Sequence, residues 1–117
     1  MTDIQRYNPT VLWSDAVSFN GIGYFVEVPE SGESFREQTL ALLTQADRTL
    51  QAIGSDKSRL MMATIYLTDF SNRAVFNEIW VDWLPKGHAP ARVCVRAELA
   101  SPDLLVEIAF MAATRQV

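Results

Sequence analysis

Apolar positions along this chain recur every second residue in some stretches and every third or fourth in others, and the changes of period divide it into strands and helices. Ile4 to Tyr7 reads as a short edge strand closed by Asn8-Pro9, a turn-forming pair that lacks one backbone donor. Trp13 to Phe19 and Ile22 to Val28 are strand-like runs joined by Asn20-Gly21, the dipeptide best suited to the positive φ angles of a type I′ hairpin. Pro29 and the polar segment Glu30 to Glu33 end the second run. Ser34-Phe35-Arg36-Glu37 has capping-box spacing and opens a helix whose apolar stripe is Phe35, Leu42, Leu43, Ala46, Leu50 and Ile53. Arg36, Gln38, Gln45, Asp47 and Arg48 fall largely off that stripe, and Gly54 supplies the stop.

Met61 to Leu67 then has the Ile, Tyr and Thr content of an interior strand. Asp69 or Ser71 can cap a second helix, with Val75, Phe76, Ile79, Trp80, Trp83 and Leu84 as a wide stripe before Pro85 and Gly87. Arg92 to Leu99 and Leu104 to Ala112 are two final strands linked by Ala-Ser-Pro-Asp, which has turn chemistry. The order β-β-β-α-β-α-β-β predicts an α+β fold, a mixed six-stranded sheet with both helices on one face, in a single domain spanning residues 1–117. In the last strands both alternating sets are mainly apolar, which predicts burial on both sheet faces and hence a homo-oligomer whose subunits cover the second.

Composition narrows the function classes. At 117 residues with 49% hydrophobic and 21% charged residues, the chain reads as globular, without a membrane span. The opening residues lack the basic start and apolar core of a secretory signal, so the expected location is the cytoplasm. One cysteine, Cys94, and one histidine, His88, exclude an intrachain disulfide and a Cys/His zinc set, so no metal is expected. A net charge of −4 disfavours nucleic acid as a partner.

Two charges break the apolar pattern of the last strands: Arg92 in Ala89-Pro90-Ala91-Arg92-Val93-Cys94-Val95, and Glu107 in Val106-Glu107-Ile108. A charge inside such a run must be solvated or paired, so each is either a site residue or half of a structural ion pair. If the two strands form a hairpin with an even loop, Glu107 falls opposite Arg96 and shares a face with Arg92 and Cys94; a three-residue loop puts it on the other face. Cys94 alone reads as a small buried hydrophobe, and His88 as a turn residue. Glu27, interrupting an apolar strand, points either into a cleft or to a subunit rim.

The chain resembles the Rid family, also called YjgF or YER-type and long labelled endoribonuclease L-PSP. The resemblance rests on Trp13-Ser14-Asp15-Ala16-Val17, Val28-Pro29, Asn77, Ala89 to Val95, and Val106-Glu107-Ile108, which run in the family's order over nearly the whole chain. It implies a chorismate-mutase-like fold assembled as a homotrimer with clefts between subunits. It implies, too, an imine deaminase-like hydrolase, converting small reactive 2-imino acids to 2-oxo acids and ammonia. On that pattern Arg92 binds the substrate carboxylate, Glu107 positions or activates water as the catalytic residue, and Asn77 and Cys94 line the cleft; Trp13 either packs in the core or closes over the ligand as a further binding residue. An electrophilic iminium needs only a placed water and proton delivery, so no cofactor is expected.

The chain departs from deaminating members at two places, with Trp13 where they usually carry tyrosine and Phe25-Val26-Glu27 where they carry Ser-Gly-Gln, which marks a divergent branch. The competing expectation is a non-catalytic protein that binds small carboxylates or 2-oxo acids in the same cleft. RNA cleavage, suggested only by the family's older label, fits the acidic charge balance poorly.

Overall fold

The structure, a computed structural model, describes residues 3–115, so the outermost residues of the expected 1–117 domain lie outside the described residues. In chain order the elements are β1 (Gln5–Tyr7), β2 (Ala16–Phe19), β3 (Ile22–Glu27), α1 (Phe35–Ala52), β4 (Leu60–Leu67), α2 (Arg73–Trp83), β5 (Ala91–Arg96) and β6 (Val106–Ala113). The predicted order of strands and helices is the observed one, and the fold is α+β and chorismate-mutase-like.

Local chemistry accounts for most of the boundaries. Asn20 and Gly21 both take positive φ, 51° and 79°, and pair β2 with β3 in the twisted turn a hairpin requires. Ser34 caps α1: its hydroxyl accepts from the Glu37 amide while the Glu37 carboxylate accepts from the Ser34 amide. The expected stripe of α1, Phe35 to Ile53, is buried throughout. Asp69 does cap, but it caps a single 3-10 turn, Phe70–Asn72, which leads into α2. Phe76, Ile79 and Trp80 of α2 are buried, with Val75, Trp83 and Leu84 packed beside them.

The sheet order is β1-β2-β3-β6-β4-β5. All neighbours are antiparallel except β4 and β5, which run parallel because α2 carries the chain back across the sheet. This corrects the expected hairpin of the last two strands: β6 inserts between β3 and β4, and β5 lies alone at the edge. The Ser101-Pro102-Asp103-Leu104 turn does form, with the Leu104 amide bonded to the Ser101 carbonyl at 3.1 Å, but it bends a longer connection over residues 97–105. The physical reason is burial. Val106, Ile108, Phe110 and Ala112 alternate with half-buried residues, a pattern that suits a strand flanked on both sides, whereas β5 is exposed enough for an edge.

Two glutamines expected off the α1 stripe are buried instead. Gln38 donates to the Asp103 carbonyl at 2.7 Å and the Gly32 carbonyl at 3.2 Å, and accepts from the Leu105 amide at 2.9 Å. That amide group fastens the 97–105 connection to α1 and so sets where β6 enters the sheet. Gln45 does the same for the end of β3, donating to the Val28 carbonyl and accepting from the Glu30 amide, both at 2.8 Å.

Candidate functional site

The register places Arg92 opposite Ala63, which is fully buried on the helix-covered face. A methyl-sized neighbour on β4 leaves room for the arginine stem, and α2 stands above it. The Arg92 guanidinium donates to Asn77 Oδ1 at 2.6 Å, and its central carbon sits 5.6 Å from the centre of the Phe76 ring. Both partners are neutral. The amide acceptor uses one of five guanidinium N–H donors and cancels none of the charge, so Arg92 is held in place while remaining able to bind an anion. Cys94, two residues on, shares this side of β5 opposite Ile65 and is a half-buried free thiol packed against the core.

Glu107 lies elsewhere. It pairs with Tyr66 across β6 and β4, and Tyr66 in turn pairs with Val95, so Glu107 belongs to the helix-free face. Within one protomer Arg92 and Glu107 are on opposite faces of the sheet, and the expected Arg96–Glu107 opposition does not exist, since Arg96 pairs with Leu67. The even-loop condition failed because there is no hairpin loop: a strand inserted two places away has its register set by β4. Glu107 is half-buried, and no ion pair with a described residue engages it.

Trp13 is 63% exposed and precedes β2 rather than starting it. The Thr10 hydroxyl accepts from the Leu12 and Trp13 amides and donates to the Trp13 carbonyl at 2.9 Å, fixing a tight loop with an apolar tip. Four strand spacings separate β2 from β5, about 19 Å, so this ring is remote from the Arg92 of its own protomer. The structure thus brings together Arg92, Asn77 and Cys94, and leaves Glu107 and Trp13 apart from them. Sequence reading missed Phe76 as the ring against the guanidinium, treating it only as core; its place beside Asn77 in α2 was the available signal.

The helix-free face holds Tyr24, Val26, Val93 and Val95, between 40% and 54% exposed, around the half-buried Tyr66, Ala109 and Met111. Monomeric proteins rarely expose large apolar patches.

Glu27 lines a small depression of about 190 Å³ with Asp15, Glu30, Arg48 and Thr49. It turns toward α1 and is buried, accepting from Thr49 Oγ1 at 2.6 Å and Gln45 Nε2 at 3.2 Å. Burial raises its carboxyl above the ordinary range, the two hydrogen bonds oppose that shift, and the charges of Glu30 and Asp15 add to it. A carboxyl whose pKa is raised by folding favours the native state most below its unfolded pKa, and that advantage is lost as pH rises through the folded value. Glu27→Gln, which keeps an acceptor without the charge, is therefore expected to melt above the wild type at neutral pH, and the gap should close toward pH about 4. Thermal melts across that range test it, and a gap that widens in acid would contradict it.

Comparison with known proteins agrees with this architecture. The family model described as Endoribonuclease L-PSP matches residues 1–114. The RutC family protein YoaB of Escherichia coli (strain K12) is 41% identical over 112 residues, covering 94% of this chain and 97% of that protein. A YjgF-family crystal structure from Neisseria meningitidis superposes with a TM-score of 0.95 at 42% identity, covering 99% of this chain and 98% of the other. A protein of unknown function from Yersinia pestis, described as belonging to the conserved Rid family, superposes with a TM-score of 0.85 at 27% identity, covering 91% and 90%. With its sheet order and these matches over nearly its full length, the chain belongs to the Rid/YjgF family.

Proposed function

We propose that the chain is a homotrimeric imine deaminase-like hydrolase that converts small, reactive 2-imino acids to 2-oxo acids and ammonia. The observation that carries this reading is the state of Arg92: a half-buried guanidinium oriented by a neutral amide and a ring face, with its charge uncancelled. Two of its parallel N–H groups can hold a carboxylate and so fix the neighbouring C2 and its nitrogen. Water adds to C2 while a carboxylate accepts one of its protons and passes it to nitrogen; the C–N bond then breaks as the carboxylate takes the remaining proton of the new C2 hydroxyl, which releases ammonia and leaves the C=O of the 2-oxo acid. Glu107 is the carboxylate in this scheme.

Because Arg92 and Glu107 are on opposite faces of one sheet, the Glu107 that serves a given Arg92 comes from a neighbouring copy. The exposed apolar patch around Tyr24, Val26 and Val93 supports such an assembly. Sedimentation at micromolar concentration is expected to give a mass of about three times the 13.1 kDa of the chain. A monomer would remove the shared cleft. The activity itself is tested by ammonia release from enzymatically generated 2-iminobutanoate or 2-iminopropanoate, where a rate no faster than spontaneous hydrolysis sinks the reading.

The same separation of Arg92 from Glu107 favours a second reading, a carboxylate-binding protein without turnover, since the clamp is complete within one protomer and the water-handling group is not. Calorimetric binding of 2-oxo acids with no ammonia release would identify it.

A further inference from the structure

Arg96 lies four residues beyond Arg92 on β5 and pairs with Leu67 as Arg92 pairs with Ala63; both partners are fully buried beneath the helices, so the two arginines project to the same side. Extended backbone spaces their Cα atoms about 13 Å apart, a gap that two long side chains can narrow to the length of a short dicarboxylate. Cys94 sits between them on that side and is small enough to leave room for a carbon chain. A third arginine, Arg73, stands one helical turn before Asn77 on α2.

Among the described residues, the arginine ion pairs are Arg36–Glu78, Arg48–Glu30 and Arg115–Asp56, and none involves Arg73, Arg92 or Arg96. In a chain of net charge −4, Arg92 and Arg96 on one side of the edge strand, with Arg73 on α2, concentrate positive charge that no described carboxylate meets at ion-pair distance. Arg96 also lines a depression of about 630 Å³ with Thr68 and the start of the 97–105 connection. Two carboxylates lie near it. Glu98 is on the rim of the depression, and Asp69 is committed to the Ser71 amide, a bond that, with a smaller contribution from the Arg96 charge, holds its carboxyl low.

We propose that the helix-side face of β5 selects dicarboxylates, with Arg92 taking the carboxylate beside the reacting carbon and Arg96, over the depression that it lines and Arg92 does not, the carboxylate at the far end of a four- or five-carbon chain. The proposal rests on the reading of Arg92 as a carboxylate clamp and adds to it the class of side chain accepted. A distal carboxylate meeting a charge that Asp69 offsets only in part gains a charge-assisted hydrogen bond that a methyl-terminated substrate cannot make.

Titration calorimetry of the whole protein with 2-oxobutanoate and 2-oxoglutarate separates the two ideas. The wild type is expected to bind 2-oxoglutarate about tenfold more tightly. Arg96→Ala, an exposed substitution that the fold tolerates, should bring 2-oxoglutarate down to the level of 2-oxobutanoate and leave the latter unchanged, and Arg92→Ala should lose both. Equal affinities in the wild type, or a preference that survives in Arg96→Ala, overturn the dicarboxylate proposal while leaving the Arg92 clamp standing. A wild type that binds neither compound overturns the clamp, and this proposal with it.

Discussion

Arg92→Ala is expected to lower kcat/KM for 2-iminobutanoate by at least about 100-fold while leaving the protein folded. Each hydrogen bond to a charged group contributes about 1.5–3 kcal/mol, and the substitution removes two together with the charge itself. Folding should be spared because the side chain is half-buried at an edge strand and, among the described residues, its sole side-chain hydrogen bond is to Asn77, whose amide water can reach once the guanidinium is gone. Arg92→Lys keeps the charge but loses the parallel donors, and belongs between the two. Steady-state ammonia release, with circular dichroism as a folding control, decides the matter: a variant within twofold of wild type would mean that the carboxylate is bound elsewhere.

The second large effect is on stability. Phe76 is fully buried, its ring 5.6 Å from Trp80 and 6.5 Å from Phe35, and Trp80 passes the stack on to Phe110 and thence to Phe25. Phe76→Ala opens a cavity in the middle of that cluster and should cost about 3–5 kcal/mol, a large share of the total for a domain of this size. Urea unfolding should show the midpoint falling with an unchanged slope. Phe76→Leu restores most of the volume but not the ring face beside Arg92, so it should recover most of the stability and still weaken carboxylate binding a few-fold. Full recovery of both would leave the ring with no part in holding the guanidinium.

The features legible in the sequence are those decided by neighbours along the chain. Asn20-Gly21 determines its own turn, Ser34 and Glu37 find each other within one helical turn, and the α1 stripe needs only its own periodicity. Arg92 was legible as a candidate because a lone charge in an apolar run stands out in any register. The face of Glu107 was not, because it depends on which strand lies beside β6, and that strand, β4, is some forty residues away in sequence. The roles of Gln38 and Gln45 were hidden for a related reason: an amide is buried only when distant carbonyls and amides, here of Asp103, Leu105, Val28 and Glu30, come to meet it.

Among the six strands of the described residues, β6 is the last in chain order and also the one that joins the two halves of the sheet, β1-β2-β3 on one side and β4-β5 on the other. Until it has left the ribosome neither half has its inner edge paired, and the aromatic cluster lacks Phe110. The N-terminal hairpin and both helices rest on contacts close in sequence and need not wait for it. Such a sheet closes in one late, long-range step, and nascent chains stalled before Val106 expose two open strand edges to whatever binds unpaired backbone.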